Sequence, residues 1–519
     1  MNRIHKKSAL DQAASLILAA YEQGEGLLWG RTEAQLPLCA FTANGLNCRR
    51  CFQGPCRINP FGDEPHHGVC GADRDQIVME TLFQATLNGV LETARSISLM
   101  DESVFQQELP DPSPDLPPET RERLSGQGIL PVRKDQLVGV QNSFFSHKKY
   151  LGRTLKDLTR LGLINYGMLK RLASLQASLP GRAPSYDPEG ANLLIVGQAG
   201  LRDLLALRDR IKERSKGPKV NLWLQGAKGL PVFPSLADQG SPEMALAMNL
   251  DALIILSDAG FPSLPELAQK WEIPVAIEEE GKPVEDLLQE ALRLALAHQK
   301  KRSYLPPARI PQPPSGNLAF EGTEEARTAL KDGRTKGVLV LWGEPNPQQT
   351  FFERTLALME TALNEKLLVF IGGDLAAQAE SLREEWRRRA GKKTADPVEP
   401  FPFDAVRFLE SCADIPKLVA FLRTLNPEKE FHQMPVVASF PEFFRASTWA
   451  AAVSFLSLGF AVQLGTKLPF WGSPPLSEVL LKDWPQISGG ILLASPSLPD
   501  AQAQAREMIA HIRSRNFEG

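Results

Sequence analysis

Apolar residues recur at two different spacings along this chain, and the spacing changes near residue 190. Before that point they recur every three or four positions, which is the period of one helix face. This pattern predicts helices over residues 8–21, 74–95 and 151–177. No strand pattern stands out in the same region. We therefore interpret residues 1–185 as a helical domain.

After residue 190, short apolar runs alternate with amphipathic helices, as is typical of parallel sheets covered on both faces. The first predicted strands cover residues 192–196, 220–224, 252–256 and 274–277. The second set covers residues 338–342, 367–371, 436–439, 460–464 and 491–494. A basic, proline-containing stretch separates the two sets. The predicted fold class is α/β, with Rossmann-like parallel-sheet domains over residues 186–315 and 316–519 after the helical domain.

Composition and charge exclude two classes of partner. The 519 residues include 58 Lys and Arg and 61 Asp and Glu, a net charge of −3, so there is no global basic field for nucleic acid. The longest apolar stretch, residues 449–464, is too short and too often interrupted for a membrane span. Asp11 and Gln12 interrupt the N-terminal apolar run, which favours a helix over a secretory signal. We expect a cytoplasmic protein without nucleic-acid or membrane partners.

Five of the six cysteines lie within 32 residues, whereas Cys412 stands alone. Tight clustering in a large, non-secreted chain indicates metal or redox chemistry rather than a disulfide framework. The pattern C-x2-C-x4-C-x13-C is formed by Cys48, Cys51, Cys56 and Cys70. Four thiolates at this spacing favour a [4Fe-4S] cluster. Zinc is an alternative, although structural zinc sites more often have two short pairs; unliganded thiols are a third.

The residues around the cysteines are compatible with a buried anionic cluster. Gly54 and Pro55 shape the approach to Cys56, and three nearby arginines either supply positive charge or face solvent: Arg49, Arg50 and Arg57. Asp73 and Gln76 predict a capping box for the helix after Cys70. Two loop histidines could bind metal but are more commonly exposed: His66 and His67. No glycine-rich nucleotide-binding motif follows the predicted strands.

This block resembles the N-terminal signature of nickel-dependent carbon monoxide dehydrogenases, within the hybrid-cluster protein superfamily. The matching positions include Cys39, Gly45, Cys48, Cys51, Gly54, Pro55, Cys56, Arg57, Gly68, Cys70, Gly71 and Ala72. The resemblance implies a helical domain followed by two Rossmann-like domains. It also implies that Cys48, Cys51, Cys56 and Cys70 hold a [4Fe-4S] electron-relay cluster.

The chain departs from the family at an intersubunit cluster. In the family, each subunit of a homodimer contributes two cysteines to that cluster. Cys39 matches the first, but Asn47 stands at the second position. We therefore expect this cluster to be absent or altered. The expected partner is a second copy of the chain or another redox protein.

The departures are larger at the family's nickel-iron-sulfur centre, which is held by one histidine and five cysteines. The histidine position and four cysteine positions align here with Gln198, Leu224, Ala259, Glu344 and Asp374. Only Cys412 remains. The catalytic lysine aligns near Ser447 and one proton-relay histidine near Thr93. Because nickel and sulfide-bridged iron require thiolates, this centre is predicted absent.

Two minor interpretations concern the residues left at this centre. Cys412 is interpreted as a small buried hydrophobe, with a metal-ligand role as the alternative. Glu344 and Asp374 could form an oxygen-rich metal site with His432 or another residue; as isolated acids at strand ends they are more commonly solvated or paired.

Three functions follow from these observations. The first is a carbon monoxide dehydrogenase-like protein whose single [4Fe-4S] cluster relays electrons or stabilises the fold, without oxidising carbon monoxide. The second is a redox enzyme of the same superfamily with an altered active centre. The third is a zinc-stabilised scaffold without electron transfer.

Overall fold

The structure is a computed structural model. It describes residues 7–10, 17–18, 21, 27–59, 63–100, 108–140, 151–177, 187, 189–197, 200–213, 219–225, 235–236, 250–256, 263–279, 283–300, 323–393, 405–409, 411–493 and 500–517. Most of the helix predicted over residues 8–21 lies outside these ranges, as do Gln198 and Ala259.

The N-terminal region is helical around a short ladder of two strands. Its helices are α1 (Leu28–Ala34), α2 (Ala40–Ala43), α3 (Arg74–Ser98), α4 (Pro118–Gly126) and α5 (Leu151–Ala177). The ladder pairs β1 (Asn47–Cys48) antiparallel with β2 (Cys56–Arg57). The predicted capping box at the start of α3 is confirmed. The Asp73 side chain accepts the N–H of Gln76 at 2.9 Å, and the Gln76 side chain accepts the N–H of Asp73 at 3.1 Å.

The first parallel sheet has the strand order β5-β4-β3-β6-β7. Its strands are β3 (Ala191–Val196), β4 (Val220–Gln225), β5 (Ser235–Leu236), β6 (Ala252–Ile255) and β7 (Val275–Ile277). The helices of this region are α6 (Leu201–Glu213), α7 (Leu264–Lys270) and α8 (Val284–Gln299). The edge strand β5 was not predicted, because two residues carry too little apolar pattern to be recognised.

The second parallel sheet has the strand order β10-β9-β8-β11-β12-β13. Its strands are β8 (Gly337–Gly343), β9 (Leu367–Gly373), β10 (Val406–Phe408), β11 (Val436–Phe440), β12 (Ala461–Leu464) and β13 (Ile491–Leu493). The helices are α9 (Thr323–Lys331), α10 (Glu353–Asn364), α11 (Asp374–Ala377), α12 (Ala379–Lys393), α13 (Ile415–Arg423), α14 (Ala446–Ser457), α15 (Pro474–Lys482), α16 (Trp484–Ser488) and α17 (Ala501–Arg513). The predicted α/β class with two parallel sheets is confirmed.

The helical region and the second sheet share one hydrophobic core. Helix α14 follows β11 in the chain and packs against both α3 and α5. Glycines allow this close contact, because a Cβ atom on Gly89 of α3 would lie 2.1 Å from the carbonyl oxygen of Ala446. The helical region is therefore anchored on the second sheet by direct contact of helix backbones. Among the described residues, no helix is long and apolar enough to cross a membrane.

Candidate functional site

The β1–β2 ladder brings the first and third cysteines of the pattern together. Cys48 lies directly opposite Cys56 in the register of this ladder. Cys51 lies in the connecting turn, where its carbonyl accepts the N–H of Gly54 at 3.3 Å. The turn is tight, since a Cβ atom on Gly54 would lie 3.0 Å from the backbone nitrogen of Cys56. A larger residue at position 54 would therefore disturb the spacing of these cysteines.

The fourth cysteine approaches this pair through a second turn. The N–H of Val69 donates to the Sγ atom of Cys56 at 3.4 Å. The same turn is closed by the N–H of Gly71, which donates to the carbonyl of Gly68 at 2.8 Å. Cys56 and Cys70 both lie close enough to Cys48 to interact electrostatically with its thiol. The structure thus brings Cys48, Cys56 and Cys70 into one neighbourhood.

The electrostatic surroundings disfavour an uncompensated thiolate at Cys48. Burial raises the pKa of this thiol, and the charges of Glu80, Cys56 and Cys70 raise it further, while the N–H of Arg50 opposes them. Arg50 forms an ion pair with Glu80. The guanidinium of Arg57 lies 5.3 Å from the centre of the Phe41 ring. The iron ions of a bound cluster would place positive charge directly at these sulfurs and so stabilise their thiolate forms.

The donor set fits a [4Fe-4S] cluster. All six cysteines are free thiols, and one of the four sulfurs accepts a backbone N–H, an interaction that tunes such clusters. Among the described residues, no group of three or more His, Cys, Asp or Glu side chains surrounds a single ion position. Each thiolate of a cubane cluster binds its own iron, so four sulfurs need not converge on one point. His66 is near Glu64, with 3.5 Å between its Nε2 and the carboxylate.

Cys39 and Asn47 are brought close to each other through Thr42. The exposed Cys39 precedes α2, and hydrogen bonds from the Thr42 backbone and hydroxyl lower the pKa of its thiol. The side-chain amide of Asn47 donates to the hydroxyl of Thr42 at 3.3 Å. These two positions are the ones that the family resemblance pairs in an intersubunit cluster. Here a single chain offers one thiolate and one amide.

A second group of polar residues lies at the carboxyl edge of the second sheet. Glu344 follows β8 and Asp374 follows β9, and the preceding residues, Gly343 and Gly373, are paired in register. The two acids are therefore neighbours at adjacent strand ends. Arg445 lies between them, and its Nη1 donates to Oδ2 of Asp374 at 2.9 Å.

Glu344 is 1% exposed and accepts three hydrogen bonds. Its Oε1 accepts the N–H groups of Phe444 at 3.2 Å and Arg445 at 2.7 Å, and its Oε2 accepts the Thr448 hydroxyl at 2.7 Å. Burial raises the pKa of Glu344 to about 7; the Arg445 charge opposes this rise and the Asp374 charge adds to it. Such a buried acid at a sheet edge is a candidate for proton exchange.

Sequence reasoning missed Arg445 and the role of Glu442. Glu442 follows β11, is buried, and accepts the N–H of Phe352 and the hydroxyl of Thr355, each at 3.0 Å. Burial raises the pKa of Glu442 to about 7, against hydrogen bonds from Phe352 and Thr355. The sequence offered one signal for Arg445 and Glu442, namely their position. Both fall between a predicted strand and the helix that follows it, which is where parallel α/β sheets bind ligands.

The proposed grouping of His432 with Glu344 and Asp374 is wrong. His432 precedes β11, whereas Glu344 follows β8, which runs parallel to β11 as its direct neighbour. The two residues therefore lie at opposite edges of one sheet, roughly 20 Å apart at about 3.3 Å per residue. His432 instead lies beside Glu430, with 3.8 Å between Nδ1 and the carboxylate.

Within the described part of the chain, the other positions aligned with the nickel centre or its acid-base residues have structural contacts. Cys412 begins the 3-10 turn Cys412–Asp414 and packs against the core, and burial raises the pKa of its thiol to about 12. Leu224 is a buried residue of β4. The N–H of Ser447 donates to Glu92 at 3.0 Å, and the Thr93 hydroxyl donates to the carbonyl of Gly89 at 3.2 Å.

Comparisons with known proteins agree with this arrangement. The model of the Prismane/CO dehydrogenase family matches residues 46–108, the segment that contains Cys48, Cys51, Cys56 and Cys70. Carbon monoxide dehydrogenase 2 of Carboxydothermus hydrogenoformans is 24% identical over an alignment of 632 residues that covers 97% of each chain. The carbon monoxide dehydrogenase of Rhodospirillum rubrum is 48% identical over 86 residues, 16% of this chain and 14% of that protein.

Two solved structures share the fold over nearly the whole chain. The nickel-free carbon monoxide dehydrogenase of Thermococcus sp. AM4 gives a TM-score of 0.79 at 19% identity, covering 98% of this chain and 97% of that one. Carbon monoxide dehydrogenase IV of C. hydrogenoformans gives a TM-score of 0.75 at 20% identity, covering 98% and 99%. The family match at the cysteine segment, the relative that aligns over nearly the full length and the shared fold show that this chain is similar to carbon monoxide dehydrogenases and, over residues 46–108, to the Prismane/CO dehydrogenase family.

Proposed function

We propose that this chain is a carbon monoxide dehydrogenase-like iron-sulfur protein with one [4Fe-4S] cluster on Cys48, Cys51, Cys56 and Cys70. The cluster supplies one-electron transfer or a structural cross-link, and the chain does not oxidise carbon monoxide. The observation that carries this proposal is the approach of Cys48, Cys56 and the Val69–Cys70 turn. The ladder and the turn hold thiols from distant positions together without a disulfide.

The absence of a nickel-iron-sulfur centre is part of the proposal. The residues that align with its ligands do not fit it, because carboxylates and a leucine replace thiolates. Of the described positions, Glu344 and Asp374 are engaged by Arg445 and by backbone N–H groups. Leu224 has no ligating atom.

An electron-relay role is supported by exposure at the cysteine loop. Cys51 and Cys70 are exposed, and two apolar neighbours, Phe52 and Val69, also project into solvent. A cluster there would lie within reach of a docked partner. We propose that this partner is a second copy of the chain or another redox protein. A cytoplasmic location and the domain limits 1–185, 186–315 and 316–519 belong to the same proposal.

Anaerobic purification followed by metal analysis tests the proposal. We expect about four iron and four sulfide per chain, no stoichiometric nickel or zinc, and a reduced-state electron paramagnetic resonance signal of one cubane cluster. Stoichiometric nickel, about eight or more iron atoms per chain, or nickel-dependent oxidation of carbon monoxide would contradict it. One zinc and no sulfide would favour the zinc scaffold instead.

A second candidate is a redox enzyme of this superfamily with an altered active centre. The buried acid Glu344, with its pKa near 7, favours this candidate because ligands of parallel α/β sheets bind at the carboxyl ends of the strands. Under this alternative, Glu344→Gln would abolish a turnover that the wild-type chain supports. Under the relay proposal, the same change leaves the cluster's electron transfer to a dye acceptor intact.

A further inference from the structure

We infer that the Arg445 guanidinium is the resident cation of the acid pair Glu344 and Asp374, so that no metal ion occupies this edge of the second sheet. The inference rests on the proposed function in one respect, since both place no nickel centre here. It goes further in two ways. It names the Arg445 guanidinium as the group that replaces the positive charge of a metal, and it predicts how metal binding changes when this guanidinium is removed.

The backbone fixes how close the two acids are. Gly343 and Gly373 are paired in register on adjacent parallel strands, so the acids follow at equivalent positions. Gly373 has a φ of 70°, and a Cβ atom there would lie 2.6 Å from the carbonyl oxygen of Gly343. Side chains larger than hydrogen are thus excluded at Gly373. The close approach of the two strand ends follows from glycine at this position.

Two carboxylates in this position require a positive partner. Glu344 is 1% and Asp374 is 2% exposed, and the charge of Asp374 disfavours ionisation of the neighbouring Glu344. Arg445 meets both acids: its guanidinium donates to Asp374 at 2.9 Å, and its backbone N–H donates to Glu344 at 2.7 Å. The guanidinium also lies 5.1 Å from the centre of the Phe444 ring, a favourable cation–π position.

The remaining contacts of Glu344 favour this arrangement over metal binding. Its Oε1 receives two backbone N–H groups and its Oε2 receives the Thr448 hydroxyl. Hard divalent ions take about six oxygen ligands, some of them water, and soft metals prefer sulfur or nitrogen. The donors around Glu344 compete for the lone pairs that a metal would need. The described residues of this site therefore suit an internal guanidinium.

The test compares Mn²⁺ binding to the anaerobically purified holoprotein and its Arg445→Met variant. We expect no Mn²⁺ at this place in the wild-type chain. Arg445→Met removes the guanidinium from Asp374 and should bind one equivalent of Mn²⁺ there, at concentrations at least about tenfold below any at which wild type binds the ion at this place. Adding Asp374→Asn to that variant should remove the gain. Arg513→Met is the matched control, since Arg513 pairs with Glu365 at 2.7 Å on the surface; it should gain nothing.

Other results decide the inference as well. It would be overturned if Arg445→Met bound no Mn²⁺ and had the same melting temperature as wild type. It would also be overturned if the wild-type chain bound one Mn²⁺ and the single change Asp374→Asn abolished that binding. If Arg445→Met did not fold, the neutral combination Arg445→Met, Asp374→Asn, Glu344→Gln should restore folding; failure to do so would also overturn it. Iron and sulfide are measured in every variant, because these values test the cluster proposal independently of Mn²⁺ binding.

Discussion

The backbone N–H of Val69 donates to the Sγ atom of Cys56 across 3.4 Å, and Val69 directly precedes Cys70. This hydrogen bond ties the third and fourth cysteines of the pattern together, although 13 residues separate them. An N–H donor at a ligand sulfur stabilises the additional negative charge of a reduced cluster. With the proposed cluster bound, the turn that contains Val69 would therefore be part of the ligand cage and not only a connection.

Removal of one ligand should eliminate the cluster. We expect Cys51→Ala or Cys56→Ala to bleach the visible absorbance, to remove most of the iron and sulfide, and to loosen the cysteine loop, because cluster binding and local folding are coupled. Cys412→Ala is the control and should retain wild-type iron, since that thiol packs against the core. Unchanged absorbance in either ligand variant would show that the ligand assignment is wrong.

Cysteine alkylation should separate Cys39 from the other thiols. Hydrogen bonds from Thr42 lower the pKa of the exposed Cys39, whereas burial raises the pKa of Cys412 to about 12. Because the thiolate is the nucleophile, iodoacetamide should modify Cys39 first in the native holoprotein and Cys412 only after unfolding. Peptide mass spectrometry measures both. Protection of Cys39 in the native protein would instead indicate that it binds a metal or lies in an interface.

The stability of the protein should depend on pH through Glu344. Burial raises its pKa from 4.5 unfolded to about 7 folded, so its contribution is full below pH 4.5 and is lost as pH rises through 7. Relative to wild type, Glu344→Gln should therefore gain roughly 1–3 kcal/mol in the free energy of unfolding between pH 5 and pH 8. The amide fits, since its nitrogen can donate to the Thr448 hydroxyl.

Denaturant unfolding at the two pH values measures this difference. Glu442→Gln is a matched variant, because the pKa of Glu442 is also raised to about 7 but its hydrogen bonds come from Phe352 and Thr355. It should show a gain of the same sign. Parallel pH profiles for wild type and Glu344→Gln would contradict the prediction.

Helix α5 contains a matched pair of glycines that tests its packing against α14. A Cβ atom on Gly162 would lie 2.2 Å from Oγ of Ser457 and 2.7 Å from the carbonyl oxygen of Val453, whereas nothing lies within 4 Å of one on Gly152. Gly162→Ala should destabilise the protein by about 1–3 kcal/mol. Gly152→Ala should be neutral or stabilising by up to about 1 kcal/mol. Thermal unfolding measures both, and equal melting temperatures would argue against this contact.

Local patterns in the sequence were sufficient for much of the fold. Helix α3 was predicted from the helical spacing of its apolar residues, and its start from the three-residue spacing of Asp73 and Gln76, on which the capping box depends. The long buried strands β8 and β9 were predicted because a continuous apolar run bounded by turns is itself a local signal. The short edge strands β5 and β10 were missed, since two or three residues form a strand only when a neighbour pairs with them.

The sequence by itself determined the α/β class, the cysteine spacing and the resemblance of the cysteine segment to a known family, because each depends on residues close together in the chain. Only the tertiary structure decided that Arg445 meets Asp374, 71 residues away, and that His432 lies at the opposite edge from Glu344. It also decided that α14 packs against both α3 and α5. Such contacts depend on strand order and on which sheet edge a residue occupies. The spacing of apolar residues along a chain contains no information on either.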